Sequence, residues 1–185
     1  MLAALALAPS ALAGGGSYVF DGGTQRERAQ VRAALEASAF DWSLVPATVT
    51  IHLRHGVQPS SSRGEIWLDT DLLASGRFGW AVVQDEYAHQ LDHFLFDDAT
   101  RARLNSVLGA GDWCYGVAGL GHGRYGCERF ASTLVWAYWP SSDNAYRPES
   151  ARDESAAMAP VAFRSLMSKL VGAPQPAFAK RRLSR

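Results

Sequence analysis

The 185-residue chain has no excess of either charge, only two cysteines and few long apolar runs. Its 18 basic and 18 acidic side chains cancel, so there is no electrostatic basis for binding nucleic acid. The two cysteines have a single histidine between them, which is not a zinc-ribbon pattern. Internal repeats and interdomain linkers are also absent. At 48% hydrophobic and 19% charged residues, the composition predicts one globular domain with a sizeable core.

The longest apolar run is at the N-terminus. Residues 1–14 are rich in Leu and Ala and contain Ala11-Leu12-Ala13, a small-x-small cleavage pattern. The run is too short to span a bilayer, and no other stretch is long and apolar enough to do so. We expect residues 1–13 to be a cleaved signal peptide and residues 14–185 to be a secreted domain with a short basic tail. The alternative is an N-terminal hydrophobic helix of the domain.

Export makes a disulfide between Cys114 and Cys127 the natural expectation. The bridge would close the Gly-rich segment between them and anchor Glu128, the residue after Cys127. The chain-entropy model assigns such a short loop roughly 3 kcal/mol of stabilisation. The alternative is a pair of buried free thiols.

Hydrophobic periodicity and turn residues predict the secondary structure. We expect strands over 18–20, 47–54 and 64–69, and helices over 24–39, 78–96, 99–108, 128–138, 150–158 and 160–171. A short helical turn is expected near 71–73, and loops over 59–64, 109–126 and 140–149. Several helices with one small sheet indicate the α+β class.

The polar face of the predicted helix 78–96 has an unusual composition. It carries Asp85, Glu86, His89, Asp92 and His93, and no Lys or Arg. Solvated helix faces are usually rich in Lys, Glu and Arg, whereas carboxylates beside histidines suit a cation. Asp85 and His89 are four residues apart, so their side chains project from neighbouring turns.

This face resembles the HExxH motif of zinc peptidases. Glu86 and His89 form Glu-x-x-His, and Asp85 stands where the first His belongs. The surrounding order also resembles the gluzincin group, because a strand at 64–69 precedes this helix and Glu128 begins a later one. The resemblance covers roughly residues 47–140 and implies a zincin-like α+β fold: a small mixed sheet with an edge strand, an active-site helix and a mainly helical C-terminal half.

The resemblance implies a secreted metal-dependent peptidase. One zinc ion would be held by Asp85, His89 and Glu128, while Glu86 would deprotonate the attacking water. The mixed donor set also suits iron or manganese. A peptide or protein substrate would pair along the strand at 64–69.

Four further residues are weaker candidates. His93 would either support a metal ligand from outside the coordination sphere or serve as an alternative ligand paired with His89, and Asp92 would orient a histidine ring. Asp85, His89 and His93 would extend over about 12 Å, too far to share one ion. Tyr125 or His122, from the Gly-rich loop, could stabilise the oxyanion of a tetrahedral intermediate, although packing or solvent exposure explains both residues more readily.

Two other functions fit the same residues. The first is a catalytically inactive zincin-fold protein that acts as an extracellular binding module, since Asp85 adds negative charge and weakens the Lewis acidity of a bound metal. The second is a di-iron carboxylate protein, but those bundles need two Glu-x-x-His motifs and this chain has one.

Overall fold

The computed structural model describes residues 16–173. The predicted signal peptide and the basic tail lie outside these residues. In the described part, the protein combines one small sheet with six α-helices and three short 3-10 turns, which confirms the α+β class.

The sheet has four strands in the order β1-β2-β4-β3. They are β1 (Tyr18–Gly22), β2 (Val49–Arg54), β3 (Ser60–Ser62) and β4 (Glu65–Asp69). β2 pairs in parallel with both β1 and β4, while β3 pairs antiparallel to β4. Alternate residues of β2 and β4 point into the core, as their period of two predicts: Val49, Ile51, Leu53, Ile66 and Leu68.

The predicted position of the edge strand is wrong. β4 lies between β2 and β3, so a substrate peptide cannot pair along residues 64–69. The edge strand on this side of the sheet is β3, in a segment predicted to be a loop. Three consecutive serines carry no hydrophobic alternation, so the sequence gives no strand signal there. Gly64 has φ +81°, a left-handed conformation that closes the turn into β4.

Six α-helices follow the predicted positions closely. They are α1 (Gln25–Ala37), α2 (Thr70–Ala74), α3 (Arg77–Leu95), α4 (Asp98–Val107), α5 (Gly126–Tyr138) and α6 (Pro160–Val171). The helix predicted over 150–158 is instead a single 3-10 turn, Glu154–Ala156. Asp153 accepts backbone hydrogen bonds from Glu149 and Ser150, which stabilises a turn there.

Local capping residues determine where several helices begin. Thr24 and Glu27 form a complete capping box at α1, as the sequence predicts. Asp97 caps α4 by accepting from the Thr100 backbone N–H, so Asp98 is the first residue of that helix.

Helix α3 occupies the centre of the molecule. It packs against α1 and α2 on one side, against α5 on another, and against the β3–β4 end of the sheet. As a result, almost every residue from Gly79 to Asp92 is buried, including those on its polar face. The polar face of α3 therefore lies against other parts of the protein, and its buried ionisable side chains form the candidate site. Among residues 16–173, no helix has the length and apolar character needed to cross a membrane.

Candidate metal centre

Helices α3 and α5 bring three carboxylates and a histidine together inside the protein. Asp85, Glu86 and His89 lie in the middle of α3, and Glu128 lies in the first turn of α5. All four are only 6–9% exposed. Buried carboxylates cost free energy unless they are paired or bind a cation, so their grouping indicates a functional site.

His89 lies between the two carboxylates predicted to be its fellow ligands. Its Nε2 is 3.8 Å from Oδ2 of Asp85 and 3.5 Å from Oε2 of Glu128. Zinc bonds of about 2.0–2.2 Å in a tetrahedron place neighbouring ligand atoms roughly 3.3–3.5 Å apart. The spacing of His89 and Glu128 is therefore close to that of a zinc site, whereas Asp85 is near His89 but is not within 4.8 Å of both and would have to move closer to share the ion.

Both oxygens of Glu128 accept contacts from a neighbouring loop. The Tyr115 hydroxyl donates to Oε1 at 2.9 Å, and Nε2 of His122 lies 3.1 Å from Oε2. Burial acts to raise the pKa of Glu128, but hydrogen bonds from His122 and His89 hold it well below its usual value. Glu128 is therefore ionised and fixed in orientation, as a metal-ligating carboxylate must be.

The two histidines carry the balancing charge. Burial acts to lower the pKa of His89, but its hydrogen bond to Glu128 and the charge of Asp85 raise it to about 9. Hydrogen bonds to Glu128 and Glu154 raise the pKa of His122 to about 10. In the metal-free protein both rings are protonated at neutral pH, so a metal that binds His89 must displace a proton.

Asp85 and Glu86 lack the hydrogen bonds that offset the burial of Glu128. Within residues 16–173, neither side chain makes a hydrogen bond, and the one ion-pair contact of either is the 3.8 Å approach of Asp85 to His89. Burial raises the pKa of Asp85 well above its usual value and that of Glu86 to about 7. A carboxyl group that titrates near neutral pH is suited to general-base catalysis.

The loop tyrosine at the cluster is Tyr115, not Tyr125. Tyr125 is buried, and its hydroxyl donates to the Val117 carbonyl at 2.7 Å, so it shapes the loop and does not face the cluster. Its ring centroid lies 4.3 Å from that of Tyr115. Tyr115 has φ +57°, the only positive value for a non-glycine among the described residues. Sequence reasoning missed Tyr115, because periodicity does not predict such a conformation. His122 lies at the cluster through its contact with Glu128, and its role as an oxyanion stabiliser stays a prediction.

Asp92 and His93 lie apart from the cluster. Asp92 accepts hydrogen bonds from Arg101 Nε at 2.7 Å and from Trp113 Nε1 at 3.0 Å, so it orients no histidine ring. It instead attaches α4 and the start of the loop to α3. His93 is half-buried near Ser61 of β3, and burial lowers its pKa. The geometry favours a structural role for both.

The predicted disulfide between Cys114 and Cys127 is present. It joins the residue before Tyr115 to the residue before Glu128. The bridge therefore holds the Tyr115 hydroxyl and the Glu128 carboxylate beside each other, in addition to closing the loop.

A cavity of about 580 Å³ opens next to the cluster. Asp85 and His122 lie on its wall, and most of the remainder comes from the segment after α5, including Tyr146, Arg147, Arg152 and Glu154. Its volume is within the usual range for small-molecule sites. Substrate groups could therefore approach the cluster from this side.

Comparison with known proteins gives no match. No family model, no curated protein and no solved structure resembles the chain closely enough to be identified as a relative. The functional argument therefore depends on the geometry and chemistry of the cluster.

Proposed function

We propose that this protein is a zinc-dependent peptidase of zincin-like fold, with Asp85, His89 and Glu128 as ligands and Glu86 as general base. The observation that supports this most strongly is the position of Glu86. It is buried near His89 and Glu128, whose ligand atoms are 3.5 Å apart, and has a pKa raised to about 7. That combination is what activation of a metal-bound water requires.

Each residue of the cluster has a distinct task in hydrolysis. A bound zinc ion would supply Lewis acidity to a water molecule and to the substrate carbonyl. Glu86 accepts the proton of the attacking water and delivers it to the departing amine. Tyr115 and His122 keep Glu128 oriented through their contacts with its two oxygens.

The order of elements supports the same function. A small sheet with an antiparallel edge strand precedes α3, and Glu128 follows on α5. The outer edge of β3 has no strand partner among the described residues, and β3 packs on α3. A peptide could add to this edge as a strand, which is a common recognition mode. The disulfide and the predicted signal peptide support secretion, because disulfides persist in oxidising compartments.

One observation favours the alternative of an inactive binding module. Glu128 already has protein partners on both oxygens, and Asp85 adds a negative charge where a neutral histidine would preserve Lewis acidity. A cluster that is balanced internally by two protonated histidines can persist without a metal. This alternative shares the fold and differs in metal affinity and turnover.

The two functions are separated by metal content and activity. The full chain would be purified under oxidising conditions, examined by elemental analysis for zinc, iron and manganese, and incubated with a mixture of fluorogenic peptides. We expect one zinc per chain and peptide hydrolysis. Glu86→Gln should keep the zinc and lose at least about 100-fold in activity. Glu36→Gln, an exposed glutamate on α1, is the matched control and should match the parent.

Asp85→His completes the experiment by restoring the usual ligand pair. If the parent binds no metal and Asp85→His binds one zinc, the peptidase proposal fails and the inactive module is supported. If the parent binds iron or manganese and not zinc, the choice of metal in the proposal is wrong.

A further inference from the structure

The sulfur of Cys127 lies inside the candidate metal centre. Its residue is fully buried, and Sγ is 3.7 Å from Oε1 of Glu128. One ligand atom from each of His89, Cys127 and Glu128 can be chosen so that all three are within 4.8 Å of one another. In the disulfide this sulfur is neutral and a poor donor, whereas a free thiolate is a strong ligand for zinc.

The other half of the disulfide is accessible to reductants. Cys114 is exposed, in contrast to the buried Cys127. A thiolate that attacks Sγ of Cys114 expels Cys127 as the leaving group. The accessible sulfur is thus the one whose attack releases a thiolate next to His89 and Glu128.

We propose that reduction of the Cys114–Cys127 disulfide creates a second metal-binding state, in which the Cys127 thiolate joins His89 and Glu128 as a ligand. This state rests on the cluster of the proposed peptidase, and its additional ligand, the Cys127 thiolate, exists only when the disulfide is reduced. A dithiol supplies two electrons and two protons, and leaves as its own disulfide. The Cys127 thiol then releases its proton as it binds the cation.

Reduction changes the character of the site in two ways. The Cys127 thiolate adds a protein ligand to His89 and Glu128, whose ligand atoms lie within 4.8 Å of it and of one another, and so takes a coordination position that water could occupy in the oxidised protein. Cys114 is also released from Cys127, so Tyr115 loses the covalent anchor that holds it beside Glu128. The oxidised protein therefore has one more coordination position open to water, and the reduced protein binds metal more tightly.

Cobalt(II) spectroscopy tests this ligand directly. The full chain would be loaded with cobalt in its oxidised form and after treatment with a water-soluble phosphine, which reduces the disulfide and becomes a phosphine oxide with oxygen from water. We expect a near-ultraviolet thiolate-to-cobalt charge-transfer band in the reduced protein and none in the oxidised protein. Cys114→Ser should show the band without reductant, because its Cys127 is already free.

Cys127→Ser is the matched control. It loses the same disulfide but has no thiol at the cluster, so it should lack the band in either condition. By competition with a chromophoric chelator, Cys114→Ser should bind zinc at least about 10-fold more tightly than Cys127→Ser. A folded Cys114→Ser that binds cobalt without the band, or binds zinc no better than Cys127→Ser, would overturn the proposal.

Two further outcomes are decisive. If Cys114→Ser does not fold, the reduced parent provides the test, and its unfolding in the presence of cobalt would refute the proposal, which requires a structured reduced state. Failure of the peptidase proposal gives a different pattern. The oxidised parent would then bind no zinc, while the reduced parent would still bind cobalt with the charge-transfer band.

Discussion

Among single residues, Glu86 has the environment with the clearest consequence for stability. Its pKa rises from 4.5 to about 7, chiefly because it is buried. Between these values the folded protein binds more protons at this site than the unfolded chain. Stability therefore falls as the pH rises through this window and remains lowered above it. At about 1.4 kcal/mol per pKa unit, the ionised carboxylate costs the metal-free fold roughly 3 kcal/mol.

Replacing this carboxylate should make the metal-free protein more stable. We expect Glu86→Gln to raise the free energy of unfolding by up to about 3 kcal/mol at pH 8 and to change it little below pH 4. Urea titrations of chelator-treated protein at both pH values measure this, with Glu36→Gln as the control. An equal effect of Glu86→Gln at the two pH values would show that Glu86 is not held in an unfavourable ionised state.

The residues of the α3 face could be identified from sequence because regular periodicity places them. Asp85, Glu86 and His89 share a face once the helix is predicted, and Glu128 follows from the resemblance. Tyr115 could not be chosen over Tyr125 in this way, since its orientation depends on a positive φ and on a disulfide partner distant in sequence. Likewise, His122 reaches Glu128 only because its 3-10 turn precedes α5.

At the level of elements, the edge strand depends on one glutamine of α3. Gln90 is fully buried and makes four hydrogen bonds to the β3–β4 hairpin. Its Oε1 accepts from the Gly64 backbone N–H, and its Nε2 donates to the Ser62 and Glu65 carbonyls and to the Ser61 hydroxyl. This side chain compensates for the short length and polar sequence of β3.

Removing these bonds should loosen the hairpin. We expect Gln90→Met to destabilise the protein by roughly 2–4 kcal/mol, because buried backbone groups lose their partners while the side-chain volume is kept. Gln30→Met is the control, since Gln30 makes one hydrogen bond, to Trp80 Nε1 at 2.8 Å, and should cost about 1 kcal/mol. Urea titration gives the energies, and hydrogen exchange at residues 60–66 shows where the structure opens. Equal costs for the two variants would contradict this role of Gln90.

Sequence predicts the elements with regular patterns and misses those fixed by distant contacts. Helices α1, α3 and α5 have apolar periodicity and recognisable ends, and β2 and β4 alternate. β3 has neither apolar periodicity nor alternation. It is held in place by Gln90, about 30 residues away, and such a distant contact leaves no local pattern in the sequence. The position of β4 inside the sheet depends on that same contact and could not be inferred locally.

For the whole molecule, the candidate metal centre lies where the main elements meet. Its proposed ligands come from α3 and α5. The loop with Tyr115 and His122 supplies contacts to Glu128, and Glu154 of the last 3-10 turn contacts His122. A cation at this point would connect Asp85 of α3 with Glu128 of α5, which are 43 residues apart along the chain. Binding there is therefore coupled to global unfolding and not to the opening of one loop.

Zinc should consequently raise the melting temperature of the entire oxidised domain. At a free concentration of 100 times Kd the expected stabilisation is about 2.7 kcal/mol. For a chain of this size that corresponds to a rise of roughly 5–10 °C, measured by calorimetry with and without zinc after chelator treatment. Glu128→Gln should remove most of the rise, and Glu36→Gln should keep it. An undiminished rise in Glu128→Gln would place the ion elsewhere, and the exposed group of His55, Asp69 and Asp71 would be the next site to test.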